Sequence, residues 1–205
     1  MMTVIMQVPE SPGNEDSRQK MVRSATLLLR EQGYTGTSFG DVVAASGAPR
    51  GSIYHHFPGG KTEMIREAVA YAGEYTDKML ERASRDHSPE EVVNGFIAVI
   101  KKTMVANDFR AGCPVAAVAV EDHPEAPELE KAASDVFASW TSTLAASLRR
   151  SGVPVARARR LATMAVTSVE GAIMLGRASR DTKALDDVGQ ELAWLYRAAV
   201  PEPAQ

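Results

Sequence analysis

The chain has 205 residues and a mass of 22.0 kDa, enough for one compact domain or for a small domain joined to a larger one. Hydrophobic residues make up 44% and charged residues 24%, the balance of a globular protein; no run of about 20 apolar residues offers a spanning helix, so a membrane partner is not expected. The single cysteine, Cys113, excludes an internal disulfide and a cysteine-based zinc site and fits a reducing cytoplasm.

The net charge of −3 conceals an asymmetry: residues 17–66 carry seven Lys and Arg against three acids, a net +4 that leaves −7 for the rest. Either the excess is chance, or one end of the chain meets a polyanion.

In chain order, residues 1–16 read as a flexible leader; Met1–Met6 is mildly apolar, but no basic residue precedes it and Pro9 and Pro12 interrupt it, so a secretory signal is not expected. From Arg18 the pattern is helical, with Met21, Val22, Ala25, Leu28 and Leu29 at helical spacing, and Gly33 ends it. Ser38 with Asp41 approximates a capping box, with Asp in place of Glu or Gln, and starts a short helix bearing Val42 and Val43. Ser46-Gly47-Ala48-Pro49 breaks it, a second short helix follows to Phe57, and Pro58-Gly59-Gly60 breaks the chain again. Beyond Lys61 the periodicity predicts helices over 61–84, 91–105 and 114–120, another from Leu129 to a stop at Gly152, one from Pro154 to Ser179, and a last one striped by Val188, Leu192 and Tyr196 before Pro201. No sustained alternation of period two appears, so the expected class is all-α.

Two short helices joined by a glycine-containing turn over residues 38–57 form a helix-turn-helix, whose second helix can enter the major groove, where base edges are distinguishable. The residue types suit that task. Arg50 can fork two hydrogen bonds to a guanine, Gly51 admits close backbone approach, and Ser52, Tyr54, His55 and His56 offer donors. The competing reading is an ordinary helix pair whose polar face is merely solvated.

Gly33-Tyr34, Thr37-Ser38, Asp41-Val42, Ser46-Gly47, the run Gly51-Ser52-Ile53-Tyr54-His55-His56-Phe57 and Lys61 together resemble the N-terminal domain of TetR-family transcriptional regulators, over roughly Ser17 to Arg66. Two departures stand out: Val43 where alanine is more usual, and a Pro58-Gly59-Gly60 spacer one residue longer than usual. That spacer, with Gly112-Cys113-Pro114-Val115 opening a mid-chain helix, is similar to the branch that includes lincomycin- and flavonoid-responsive repressors. The resemblance implies a homodimer on a palindromic operator, with a ligand in the C-terminal domain changing the spacing of the two reading heads. It places base reading on Arg50, Gly51 and Tyr54, and phosphate contacts on Ser38, Ser52, His55, His56 and Lys61. The expected organisation is a leader (1–16), a DNA-binding domain (17–66), a ligand-binding and dimerisation domain (67–200) and a tail (201–205).

Other residues admit two readings each. Cys113 is either a redox-sensitive thiol near a helix start or a small buried apolar residue. Glu121, Asp122, His123 and Glu125 have metal-ligand chemistry, but Pro124 and Pro127 favour a solvated acidic turn, so no metal and no cofactor is expected. No nucleophile, base and oxyanion constellation accompanies Cys113 and His123, so an enzyme is not expected. Met79, Phe96, Met104, Phe137, Trp140 and Met164 are core residues or the lining of an apolar ligand cavity. Ala158, Ala162, Ala165 and Ala172, with Leu192 and Tyr196, build either an intramolecular contact or, as the resemblance favours, an intersubunit bundle. The expectation is a ligand-responsive, dimeric repressor in the cytoplasm. Its alternative is an apolar-ligand protein or enzyme with a relic helix-turn-helix.

Overall fold

The computed structural model describes residues 16–49 and 51–201. Among them every regular element is helical: α1 (Ser17–Gly36), α2 (Phe39–Ser46), α3 (Ser52–His56), α4 (Gly60–Asp86), α5 (Pro89–Ala106), α6 (Pro114–Ala119), α7 (Pro127–Arg150), α8 (Val155–Ser179) and α9 (Lys183–Ala199). The expected breaks are the observed ones. Gly33 (φ 74°) kinks α1 three residues before its end, Gly47 (φ 67°) closes α2, and a capping box between Ser88 and Glu91 opens α5 with Pro89 in its first turn.

The helices form two compact units. One contains the chain up to Glu74 together with Arg110–Val136; the other contains Tyr75–Phe109 and the chain from Phe137 onward. This packing division differs from the functional one expected at residues 66 and 67. Helix α6 joins the N-terminal unit because it docks on α1, where the Gly112 amide donates to the Arg30 carbonyl at 2.8 Å.

In the second unit α5 lies antiparallel to α9. Glu90 at the start of α5 pairs with Arg197 at the end of α9, and Lys101 late in α5 pairs with Asp186 early in α9. The two helices pack closely: a Cβ added at Gly189 would sit 3.3 Å from Ile97 Cγ2. Helix α8 covers the same cluster, contributing Ala158, Leu161, Ala162, Ala165, Val169 and Ala172. The alanines expected at a subunit interface, and Leu192 and Tyr196 with them, are therefore buried inside one chain. Small residues let α8 approach its own α9, and a sequence cannot distinguish that neighbour from a partner's helix.

Because Ala165 is 3% exposed, Ala165→Arg should bury an unpaired charge in the subunit's own core. Chemical denaturation is expected to show a loss of more than about 4 kcal/mol, or no folded protein, instead of a folded monomer.

Candidate nucleic-acid interface

The N-terminal unit builds one outward helix face. Ser38 caps α2: its hydroxyl accepts from the Asp41 amide at 3.2 Å, while the Asp41 carboxylate accepts from the Ser38 amide at 3.1 Å and from the Ser38 hydroxyl at 2.6 Å. These bonds, the hydroxyl's above all, hold the Asp41 carboxyl below its ordinary range. Aspartate therefore completes the box as glutamate would. Helix α3 then starts on Pro49, whose carbonyl accepts from the Ser52 amide at 3.0 Å and the Ser52 hydroxyl at 2.7 Å.

Ile53 and Phe57, four residues apart, fall 2% and 0% exposed on the inner side of α3 and its C-cap. That fixes the outer side. Tyr54 is 70% exposed and leans edge-on against Phe39 at 5.4 Å; Gly51 and His55 are exposed, and His56 is half-buried beside His55. Arg50 lies outside the described residues. Of the expected DNA-contacting groups, Gly51, Tyr54 and His55 thus share an open surface. The hydroxyls of Ser38 and Ser52 already donate within the chain but retain acceptor capacity.

Lys61 lies in the first turn of α4, after Gly60 (φ 75°) turns the chain. Its ammonium sits 4.0 Å from the centroid of the Tyr34 ring and is half-buried. Burial draws its pKa below the ordinary lysine value, and the nearby Glu121 charge works against that shift.

Several contributors were not evident from the sequence. Arg18 donates from Nε to the His56 carbonyl at 3.3 Å, lies 5.2 Å over the Phe57 ring, and pairs with Glu67 and Glu63 of α4. A cation on the last carbonyls of α3 also complements the helix dipole. Its only sequence signal was a positive charge near the start of α1. Glu121 and His123 were expected in a solvated turn, yet both turn inward. Glu121 accepts from the Tyr34 and Thr35 amides at 2.7 and 3.0 Å; His123 is buried, its Nε2 2.9 Å from the Val118 carbonyl and its ring edge-on to Tyr34 at 4.5 Å. Burial acts to raise the Glu121 pKa, but hydrogen bonds from Thr35 and Tyr34 outweigh it, and the carboxyl sits below its usual range. Asp122 and Glu125 do remain exposed. Cys113 caps α6, its sulfur accepting from the Ala116 amide at 3.4 Å.

In the second unit a cavity of about 30 Å³ is walled by apolar side chains, among them Leu80, Val92, Phe96, Leu144 and Val169. Of the expected ligand-lining residues, Phe96 borders it. Met104 is buried where it would meet a side chain at Gly176, Phe137 and Trp140 stack edge to face at 5.5 Å, Met79 is half-buried, and Met164 is exposed on α8.

Comparison with known proteins finds two family models along the chain. Residues 22–68 match the family model for bacterial regulatory proteins of the tetR family, and residues 89–191 match that for the C-terminal domain of LmrA/YxaF-like transcriptional regulators. The chain is 43% identical over 191 residues to an uncharacterized HTH-type transcriptional regulator of Mycobacterium tuberculosis, spanning 90% of this chain and 96% of that one. It is 32% identical over 171 residues to the HTH-type transcriptional regulator LmrA of Bacillus subtilis, spanning 83% and 91%. A regulatory protein TetR from Rhodobacter sphaeroides has the same fold, with a TM-score of 0.77 at 22% identity over 87% of this chain and 98% of that one. So does a cysteine mutant of the TetR-family regulator CifR, solved with a 26-bp double-strand operator DNA, with a TM-score of 0.70 at 20% identity over 93% and 100%. Both halves of the sequence lead to one family, and the chain belongs to the TetR transcriptional regulators.

Proposed function

We propose that the protein is a dimeric cytoplasmic repressor, without enzymatic activity, that reads a palindromic operator with α3 and is released from it by a small apolar ligand. The observation that carries the DNA-reading part is the division of α3: Ile53 and Phe57 are anchored inward, leaving Gly51, Tyr54 and His55 open. Arg50, just ahead of α3 in the sequence, would add a guanidinium fork for a guanine edge. Ser38, Ser52, His55, His56 and Lys61 would hold phosphates, supplying the salt-dependent part of the affinity.

Dimerisation is best assigned to the outer faces of α8 and α9. Met164, Gly171 and Leu175 recur at seven- and four-residue spacing along a flank of α8 turned away from its buried alanines, with Met174 on the far side from them. Met174, Leu175 and, on α9, Trp194 are 62%, 62% and 60% exposed, the kind of apolar and aromatic surface that associates. The ligand reading rests on the apolar cavity. At about 30 Å³ it has room for one or two waters, so a ligand would bind by displacing side chains around it. Helix α4 carries both Lys61 and the cavity residue Leu80, so a tilt of this 27-residue rod would move the reading head. In a dimer the two heads must match a spacing of about 34–36 Å, or a multiple of it.

Selection from random duplexes should yield a palindrome, and Tyr54→Ala should cost about 1–3 kcal/mol of binding and alter preference at one position per half-site; enrichment of no sequence by the wild type would defeat the DNA-reading assignment. In sedimentation at micromolar concentration, Trp194→Glu should convert a dimer into a folded monomer with much weaker operator binding, because linked half-sites act through effective concentration. Val169→Ile adds one methylene to the cavity wall; it should leave operator binding intact and require more apolar ligand for release.

A further inference from the structure

Two side chains of one distant turn hold Tyr34, Glu121 by its backbone amide and His123 by its ring, and that ring lies under a lysine. At Gly33 the backbone adopts φ 74° and ψ −178°, after which the Tyr34 and Thr35 amides point to the same side. Both donate to one carboxylate: Glu121 Oε1 accepts from Tyr34 at 2.7 Å, and Oε2 accepts from the Thr35 amide at 3.0 Å and from the Thr35 hydroxyl. A Cβ at Gly33 would lie 2.7 Å from Glu121 Oε1, so glycine is required both for the conformation and for the approach of the carboxylate. His123, two residues on, presses edge-on against the Tyr34 ring at 4.5 Å while its Nε2 is held at 2.9 Å by the Val118 carbonyl. The Lys61 ammonium occupies a face of the same ring, 4.0 Å from its centroid. An ammonium is drawn to the electron-rich face of an aromatic ring, most strongly where water is partly excluded, as it is at half-buried Lys61.

We infer that Glu121, through Tyr34, is a positioning residue for the phosphate-contacting amine of Lys61. The inference rests on the DNA-binding reading above. A lysine stem has many rotamers, and holding it against a fixed ring lowers the entropy lost when the amine meets a phosphate. The carboxylate bonds two amides and a hydroxyl, so it fixes the backbone that carries the ring, while its charge reaches the Lys61 ammonium without a direct hydrogen bond to it. The turn between α6 and α7 thereby acts on a DNA contact about 60 residues earlier in the chain.

The test is a salt titration of binding to the selected operator and to a nonspecific duplex of random sequence. Glu121→Gln is expected to weaken both by about three- to tenfold at low salt and to reduce the slope of log K against log salt by about 0.9 per bound subunit, the signature of one lost phosphate contact. Tyr34→Leu should do the same, whereas Tyr34→Phe, which keeps the ring, should bind as the wild type does. On a Lys61→Met background, Glu121→Gln should have no further effect. An unchanged slope in Glu121→Gln and Tyr34→Leu, tighter binding by Glu121→Gln, or an additive loss on the Lys61→Met background would each overturn the positioning role while leaving the DNA-binding reading intact. Absence of salt-dependent duplex binding by the wild type would defeat both.

Discussion

A helix of five residues cannot hold itself together. Isolated helices need about 12–15 residues to be even marginally stable in water, and α3 runs only from Ser52 to His56. Its conformation is imposed from below by two apolar anchors, Ile53 and Phe57, and at its C-terminal end by Arg18 on the His56 carbonyl. Everything proposed for DNA recognition depends on that anchoring, because a reading helix discriminates base edges only if it does not reorganise when it reaches them. Arg18 is suited to the task because one guanidinium serves four partners: the His56 carbonyl of α3, the Phe57 ring, and the Glu63 and Glu67 carboxylates of α4. Exposed ion pairs contribute little individually, but here the charge also ties three elements together.

Helix α1 is the element on which this unit converges. It meets α2 and α3 on the reading side and α6 on another, and the kink at Gly33 exposes the amides that Glu121 captures. The C-terminal region thereby contributes a segment, Arg110–Val136, to the unit that carries the helix-turn-helix. A boundary drawn where the DNA-binding motif ends would cut through this packing.

The fold class and all nine described helices were legible in the sequence, because each apolar period is long or sharply punctuated. Gly47, Pro49 and the Ser38–Asp41 box define the helix-turn-helix by local chemistry alone, and the two anchors of α3 follow from a four-residue spacing. What failed was partner assignment. The alanines of α8 are small because something packs closely on them, but smallness does not say whether the neighbour belongs to the same chain. Glu121 and His123 sit in an acidic, proline-flanked turn that reads as solvent-facing, and only the fold brings them to Tyr34. Methionines and aromatics on separate helices likewise read as either core or the lining of a cavity. The cavity described above is lined mainly by Leu, Val and Ile, with Phe96 from the expected set.

The way the chain leaves the N-terminal unit gives the proposed linkage a physical basis. Helices α4 and α7 both continue beyond it, at Glu74 and at Val136. Just before that point the two helices touch: a Cβ at Gly73 would fall 2.6 and 2.9 Å from the two methyls of Val136. Glycine at this position lets the Val136 side chain of α7 lie directly on the α4 backbone, where any larger residue would collide with it. Lys61 stands at the start of one rod. The turn bearing Glu121 and His123 leads into the other, which begins at Pro127. The backbone that carries the lysine and the turn that holds the ring thus lead into two helices in contact at a single glycine. A ligand that moved either helix would disturb both supports of the same amine. If the amine holds a phosphate as proposed, linkage requires that DNA resist that movement and weaken ligand binding by an equal factor.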